Sequence, residues 1–297
     1  MKGYSLFLLI GLFCLLGGCS DDEDVTPSMK DEDRLESLID KSNTDIMTFK
    51  EKYGTYILYE FDQLLDFAYQ FDEAGSWREA KLTYLTREDV PGAVSFLKDH
   101  FWSCYGDSLI TNCFPRKFLI CSKIYASALG ISGEGNTKIY HDAAANMNSF
   151  TAACLDKKTL SEMDAERQGE YVRQLHYIYL CGYLVNVRRD VFVEDIFFDP
   201  ASKLYGTKID RKTGVNLDEE YFMNRGFFYI ESTENYYPQQ MEDLMTFTEK
   251  LVKMDQHIHD VVMEKSIMRN KMQYVAQGLK AIGVDIAKIN PLAKDFL

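Results

Sequence analysis

The sequence predicts an α+β domain, with a small sheet early in the chain and a mainly helical C-terminal half. Three observations carry the prediction. Short runs rich in β-branched and aromatic residues fall before residue 130, apolar residues recur at helical spacing after residue 160, and no linker divides the chain after residue 30. A hydrophobic content of 46% with 13% aromatics is ample for a packed core.

Residues 31–53 read as one helix, with Leu35, Leu38, Ile39, Ile46 and Phe49 near helical spacing and Gly54 ending it. Thr55-Tyr56-Ile57-Leu58-Tyr59-Glu60-Phe61 reads as a strand. The stretch from residue 64 to 84 is ambiguous. Pro91, with Asp89 as candidate cap, opens a helix through Val94, Leu97 and Trp102. Phe118-Leu119-Ile120-Cys121 is a short buried strand. Ser132-Gly133-Glu134-Gly135-Asn136 is turn chemistry, so a hairpin is expected between residues 125–129 and 137–140.

Beyond that, residues 162–187 read as one long helix. Residues 200–235 are mixed, with turn signals at Asp199-Pro200 and Lys212-Thr213-Gly214. Pro238 starts another helix, where Leu244, Phe247, Leu251, Met254 and Ile258 alternate steps of three and four. A last helix runs over residues 266–282 and ends at Gly283.

The N-terminal residues carry an address. Lys2 precedes an almost unbroken apolar run from Tyr4 to Leu16, too short to span a membrane comfortably, and the small pair Gly17-Gly18 gives a peptidase room to cut. Leu16-Gly17-Gly18-Cys19 resembles the bacterial lipobox. It implies a signal peptide over residues 1–18 and an acylated Cys19. Ser20-Asp21-Asp22-Glu23-Asp24 resembles the surface-export signal of Bacteroidota lipoproteins, while its charge alone makes a solvated tether over residues 19–30. Each buried acyl methylene contributes about 0.8 kcal/mol, so several chains anchor stably. The expected address is the outer membrane, lipid-anchored and facing outward, with residues 31–297 as one folded domain.

A net charge of -13 argues against nucleic acid as a partner and against direct adhesion to anionic lipid heads. Of the seven cysteines, Cys14 leaves with the signal and Cys19 carries lipid. Cys104, Cys113, Cys121, Cys154 and Cys181 remain. Cys104 and Cys113 could pair across a loop, but buried thiols are the preferred reading of an odd set without C-x-x-C.

Several features resemble the zinc-binding metallopeptidases of Bacteroidota, lipoproteins often associated with outer-membrane nutrient import. They are the lipobox and acidic run, Tyr53-Gly54-Thr55-Tyr56-Ile57-Leu58-Tyr59-Glu60-Phe61, the apolar strand over residues 116–121, and the long central helix. Arg225-Gly226-Phe227-Phe228, Glu242-Asp243-Leu244 and Gly283-Val284-Asp285-Ile286 follow in order. The resemblance covers most of residues 45–290 and implies a single zincin-like domain. In that family the central helix carries H-E-x-x-H, two His ligands four apart on one helical face and a Glu that acts on the zinc-bound water.

Here His176 stands at the first ligand position, but Tyr177 replaces the base and Leu180 the second ligand. The implied site is therefore degenerate, with no catalytic residue and no metal; His176 and Glu242 are vestigial ligand candidates. Glu242 is expected to border the apolar face of its helix and Asp243 to point nearer to solvent. His257 and His259, two apart, diverge by about 200° on a helix and cannot share an ion. His100 and His141 stand alone. Tyr236, Tyr237 and Trp77 are candidate exposed contacts. The chain is thus expected to be a non-catalytic binding or accessory component of a nutrient-import or surface complex, with a peptide or glycan ligand. The alternatives are an active zinc peptidase with a displaced motif, and a structural surface lipoprotein unrelated to peptidases.

Overall fold

The computed structural model describes residues 30–68, 80–128, 137–185, 193–211, 216–231 and 234–297. The signal segment, Cys19, Ser20 and the acidic run lie outside them, as do Trp77 and the turns at Ser132-Gly133-Glu134-Gly135-Asn136 and Lys212-Thr213-Gly214. The chain divides into two compact units, Met1–Ser37 and Leu38–Leu297. Helix α1 (Asp31–Leu38) opens the described residues, with Arg34 paired to Asp31 on its surface. The sheet and the other helices belong to the second unit.

The single helix expected over residues 31–53 is two. Asn43 caps α2 (Thr44–Tyr53), its Oδ1 accepting from the Asp45 and Ile46 amides at 3.1 Å each. A capping Asn within a periodic stretch starts a new helix, because its side chain supplies the acceptor that the first turn lacks. Gly54 closes α2 at φ +74, a left-handed turn that favours glycine, and its amide donates to Lys50 O.

Strand β1 (Tyr56–Leu58) is shorter than the run that predicts it. After β2 (Lys81–Tyr84), helix α3 (Val90–His100) begins with Pro91 in its first turn. It stops before Trp102, which lies in a 3-10 turn. Asp89 does not cap it. Its carboxylate accepts instead from Thr86 Oγ1 at 2.5 Å and Lys157 N at 3.0 Å. Helix α4 (Asp107–Cys113) leads into β3 (Lys117–Ala128).

β3 organises the sheet. Its first half pairs in parallel with β1 (Ile57 opposite Phe118) and with β6 (Ser149–Ala152; Phe150 opposite Phe118). Its second half pairs antiparallel with β2 and with β4 (Thr137–His141), so the expected hairpin partners do meet. β5 (Ala143–Ala145) closes the far side against β6. Phe118, Leu119, Ile120 and Cys121 are fully buried, as a parallel strand covered on both faces requires.

Helix α5 (Lys157–Glu162) precedes α6 (Ala165–Tyr179), which begins three residues later than the start of the long helix expected over residues 162–187. Asp164 restarts the chain by accepting from Arg167 N at 2.8 Å. A π-helical turn, Leu180–Leu184, continues α6. Short helix α7 (Glu219–Met223) lies in the mixed region. Helix α8 (Gln240–Val252) buries Leu244, Phe247 and Leu251; Ile258 belongs to a further helix, α9 (Gln256–Glu264), capped by Asp255.

Helix α10 (Ser266–Ala281) packs against α8 and α9, and α6 packs against α8 and β5. Gly283, at φ +99, then lets the chain approach Gly106 closely enough for Gly106 N to donate to Gly283 O at 2.7 Å. Helix α11 (Ile286–Ile289) follows. Among the described residues no helix is long and apolar enough to cross a membrane. None of the five remaining cysteines forms a disulfide, and burial pushes the Cys104 thiol up to about 11.

Candidate functional site

His176 sits on α6 with its side chain wholly buried. Its ring stacks on Phe101 at 4.9 Å, inside a cluster that includes Tyr105, Phe118, Phe150 and Tyr179. Nε2 lies 3.2 Å from the His100 carbonyl oxygen, and Nδ1 lies 2.7 Å from Tyr105 Oη. A carbonyl only accepts, so Nε2 carries the proton. Nδ1 is then the acceptor, and the Tyr105 hydroxyl donates to it. Burial drives the imidazole pKa down to about 3, which keeps this neutral tautomer. A metal needs a ring lone pair, and the single one available is already bound. These residues do not fit a zinc ion at His176.

The neighbouring motif positions agree. Tyr177 is half-buried, with the Lys253 ammonium 3.7 Å from its ring centroid. Leu180 is fully buried where a second His would stand, at the start of the π-helical turn. Among the described residues, no group of three His, Cys, Asp or Glu side chains could hold a metal ion. His259, for its part, is held between Asp260 at 3.2 Å and Asp295 at 3.1 Å.

On α8 the two acids are placed opposite to expectation. Glu242 is exposed and serves the helix end, its Oε2 accepting from Gln239 N at 2.7 Å as half of a capping box. Asp243 is only 2% exposed. The reason is its spacing: it lies four residues before Phe247 and eight before Leu251, in the buried stripe itself. Glu242, measured from half-buried Met241, falls outside that stripe.

Asp243 is sustained there by Lys271 of α10, whose ammonium is 2.5 Å from Oδ2 and fully buried. Lys271 also donates to Gly226 O at 2.8 Å and contacts Tyr205 Oη at 3.3 Å; Tyr205 in turn donates to Asp243 at 2.6 Å. All three ammonium protons therefore have acceptors. Around them stand the rings of Phe197, Phe247 and Phe227, with centroids at 4.5, 4.6 and 5.2 Å from Nζ. Gly226 presents its carbonyl from φ +82, where a Cβ would also come within 3.1 Å of Ile267. Burial raises the Asp243 carboxyl and lowers the Lys271 ammonium, so desolvation opposes both charges and mutual attraction holds them.

Arg225-Gly226-Phe227-Phe228 and Glu242-Asp243-Leu244, far apart in sequence, thus meet at one buried cation that sequence reading did not single out. A signal existed. Lys271 lies three residues after Met268 and four before Val275, in line with the buried face of α10.

Beside this cage opens a groove of about 680 Å³, lined in part by Asp243, Glu242, Glu231 and Glu234. Tyr229 and Tyr236, 51% and 57% exposed, stand in its wall. Tyr236 is thus exposed, as anticipated. Tyr237 is not: it is 5% exposed and packs with Phe222 and Phe227 in a satellite core.

No family model and no curated protein matches the chain. Among solved structures, the chain is similar to a candidate zinc-binding metallo-peptidase from Bacteroides caccae, at 13% identity and a TM-score of 0.44, over 90% of this chain and 93% of that one.

Proposed function

We propose that the chain is a lipid-anchored, surface-exposed outer-membrane protein with a metallopeptidase-like scaffold. It works as a binding or accessory component of a nutrient-import or surface complex, and it hydrolyses no peptide bond. One observation carries the non-catalytic reading: His176, the one motif residue retained, spends both ring nitrogens on Tyr105 and His100. The groove beside Tyr229, Tyr236 and Glu242 supports a binding role, with stacking faces and acceptors suited to a peptide or glycan. The anchor and the address rest on Cys19 and on Ser20, Asp21, Asp22, Glu23 and Asp24.

Elemental analysis of the purified chain after zinc exposure and dialysis tests the central claim. Less than stoichiometric zinc is expected. Stoichiometric zinc that disappears with His176→Ala overturns the reading and promotes an active peptidase. For the address, proteinase added to intact cells should degrade the protein. Alanine at Asp21, Asp22, Glu23 and Asp24 should leave it lipidated but protected. A wild-type chain already protected from outside would refute surface display.

A further inference from the structure

The groove beside the Asp243–Lys271 cage carries one sign of charge in its lining. Glu231, Glu234 and Glu242 are exposed there, and no lysine or arginine lines it. Among the described residues, none of these three carboxylates has an ion-pair partner. The neighbouring cations are engaged elsewhere. Lys271 is bound to Asp243 inside the cage, and Arg211 donates to the main-chain carbonyls of Glu231 and Glu234. Lys208 lies with Arg211 on a separate depression. Low-dielectric walls focus the field of like charges, and at physiological ionic strength it reaches about 8 Å, so attraction needs no direct contact. The acids cannot gather on one metal ion, since among the described residues no three such side chains could hold one. The field therefore suits an extended cation.

The walls point the same way. Tyr229 and Tyr236 are more than half exposed, and among the described residues no cation lies over either ring. Elsewhere this chain sets its own cations on ring faces: Arg225 lies 3.6 Å from the Tyr221 centroid, and Lys253 lies 3.7 Å from that of Tyr177. The buried cage joins both devices, a carboxylate and ring faces around one ammonium. The groove offers carboxylates and rings without a basic residue of its own.

We propose that this groove takes an extended peptide through its lysine or arginine side chains. The inference rests on the groove being a binding site, and it names which of the two ligand classes enters. A neutral glycan would use the ring faces but gain nothing from uncompensated charge, whereas a basic side chain gains from both. At about 680 Å³ the groove falls within the range of ligand-binding clefts.

Calorimetric titration of the full chain tests this with three probes: a blocked hexapeptide carrying two arginines, its twin with citrulline in their place, and neutral maltohexaose. The arginine peptide should bind about ten-fold more tightly than the citrulline twin, with the preference shrinking in high salt. Glu231→Gln with Glu234→Gln should remove most of that preference. Glu51→Gln with Glu88→Gln, exposed positions outside the groove, changes the net charge equally and should leave the preference intact. Equal affinity for the two peptides, or a preference that survives the groove pair or falls equally with the remote pair, would overturn the proposal. Maltohexaose binding more tightly than the arginine peptide would overturn it while leaving the groove a binding site. Binding of no probe would overturn it and withdraw the groove's support for a binding role as well.

Discussion

Two polar groups are buried among aromatic rings in this molecule, and they are accommodated by opposite means. His176, in the cluster beside the sheet, is buried neutral; burial strips its charge, and one donor and one acceptor complete its hydrogen bonds. Lys271, among the later helices, is buried charged, and needs Asp243, Gly226, Tyr205 and a wall of ring faces to remain so. The contrast shows where each region is vulnerable. A neutral group can be replaced at the cost of two hydrogen bonds, whereas a charge stripped of its partner has nowhere to relax.

The largest expected effect follows from that asymmetry. Lys271→Met leaves the Asp243 carboxylate buried without its cation and should destabilise the fold by about 3–5 kcal/mol, read as a lower urea midpoint. Replacing both partners, Lys271→Met with Asp243→Leu, should recover most of the loss. A single variant that costs less than about 1 kcal/mol would show that the cage admits water, and the contrast with His176 would collapse.

His176 sharpens the comparison through pH. Its folded pKa of about 3 lies below the ordinary 6.5. Between those values the unfolded chain takes up a proton that the folded chain refuses. The associated stability is therefore fully present above pH 6.5 and is lost as the pH falls toward 3, by up to about 1.4 kcal/mol per unit. From pH 6.5 to 5 the wild type should lose about 2 kcal/mol that His176→Phe does not lose. At neutral pH the same variant should cost about 1–3 kcal/mol, since Tyr105 and the His100 carbonyl are left unpaired. Parallel pH profiles for the two proteins would mean that this imidazole titrates alike in the folded and the unfolded chain, and so is not held neutral as described.

Much of this architecture was legible in the sequence, and the failures have physical causes. The buried run Phe118-Leu119-Ile120-Cys121, the hairpin partners, Gly54 and Gly283 all follow from local rules. Helix breaks at Asn43 and Asp255 were missed because a capping side chain inside a periodic stretch does not disturb the apolar pattern. β5 and β6 were missed because they are short, and because Ser149 and Thr151 are buried by tertiary pairing and not by hydrophobicity. That Tyr177 and Leu180 cannot serve as a carboxylate base and a metal ligand could be read in the sequence. What ties up His176 could not, because Tyr105 and His100 come from a distant segment. Asp243 was misplaced because the centre of the buried stripe lies at Leu244 and Phe247, which puts Asp243 and not Glu242 on its face.

The smallest effect concerns the neighbour of Asp243. Glu242 differs from it by one position and about 100° of helix rotation, which takes it from the cage to the exposed end of α8. Its work there is to accept from the Gln239 amide, so Glu242→Ala should cost about 0.5–2 kcal/mol, the range of a lost cap, against the several expected at Lys271. The cost should be the same with and without added zinc, because no His176 lone pair is available to share an ion with this carboxylate. Thermal unfolding of the wild type and Glu242→Ala, each with zinc and with a chelator, measures both quantities. If zinc raises the midpoint of the wild type alone, Glu242 is a ligand and not merely a cap. The metal would then lie outside the His176 pocket, in the groove that Glu242 shares with Glu231 and Glu234.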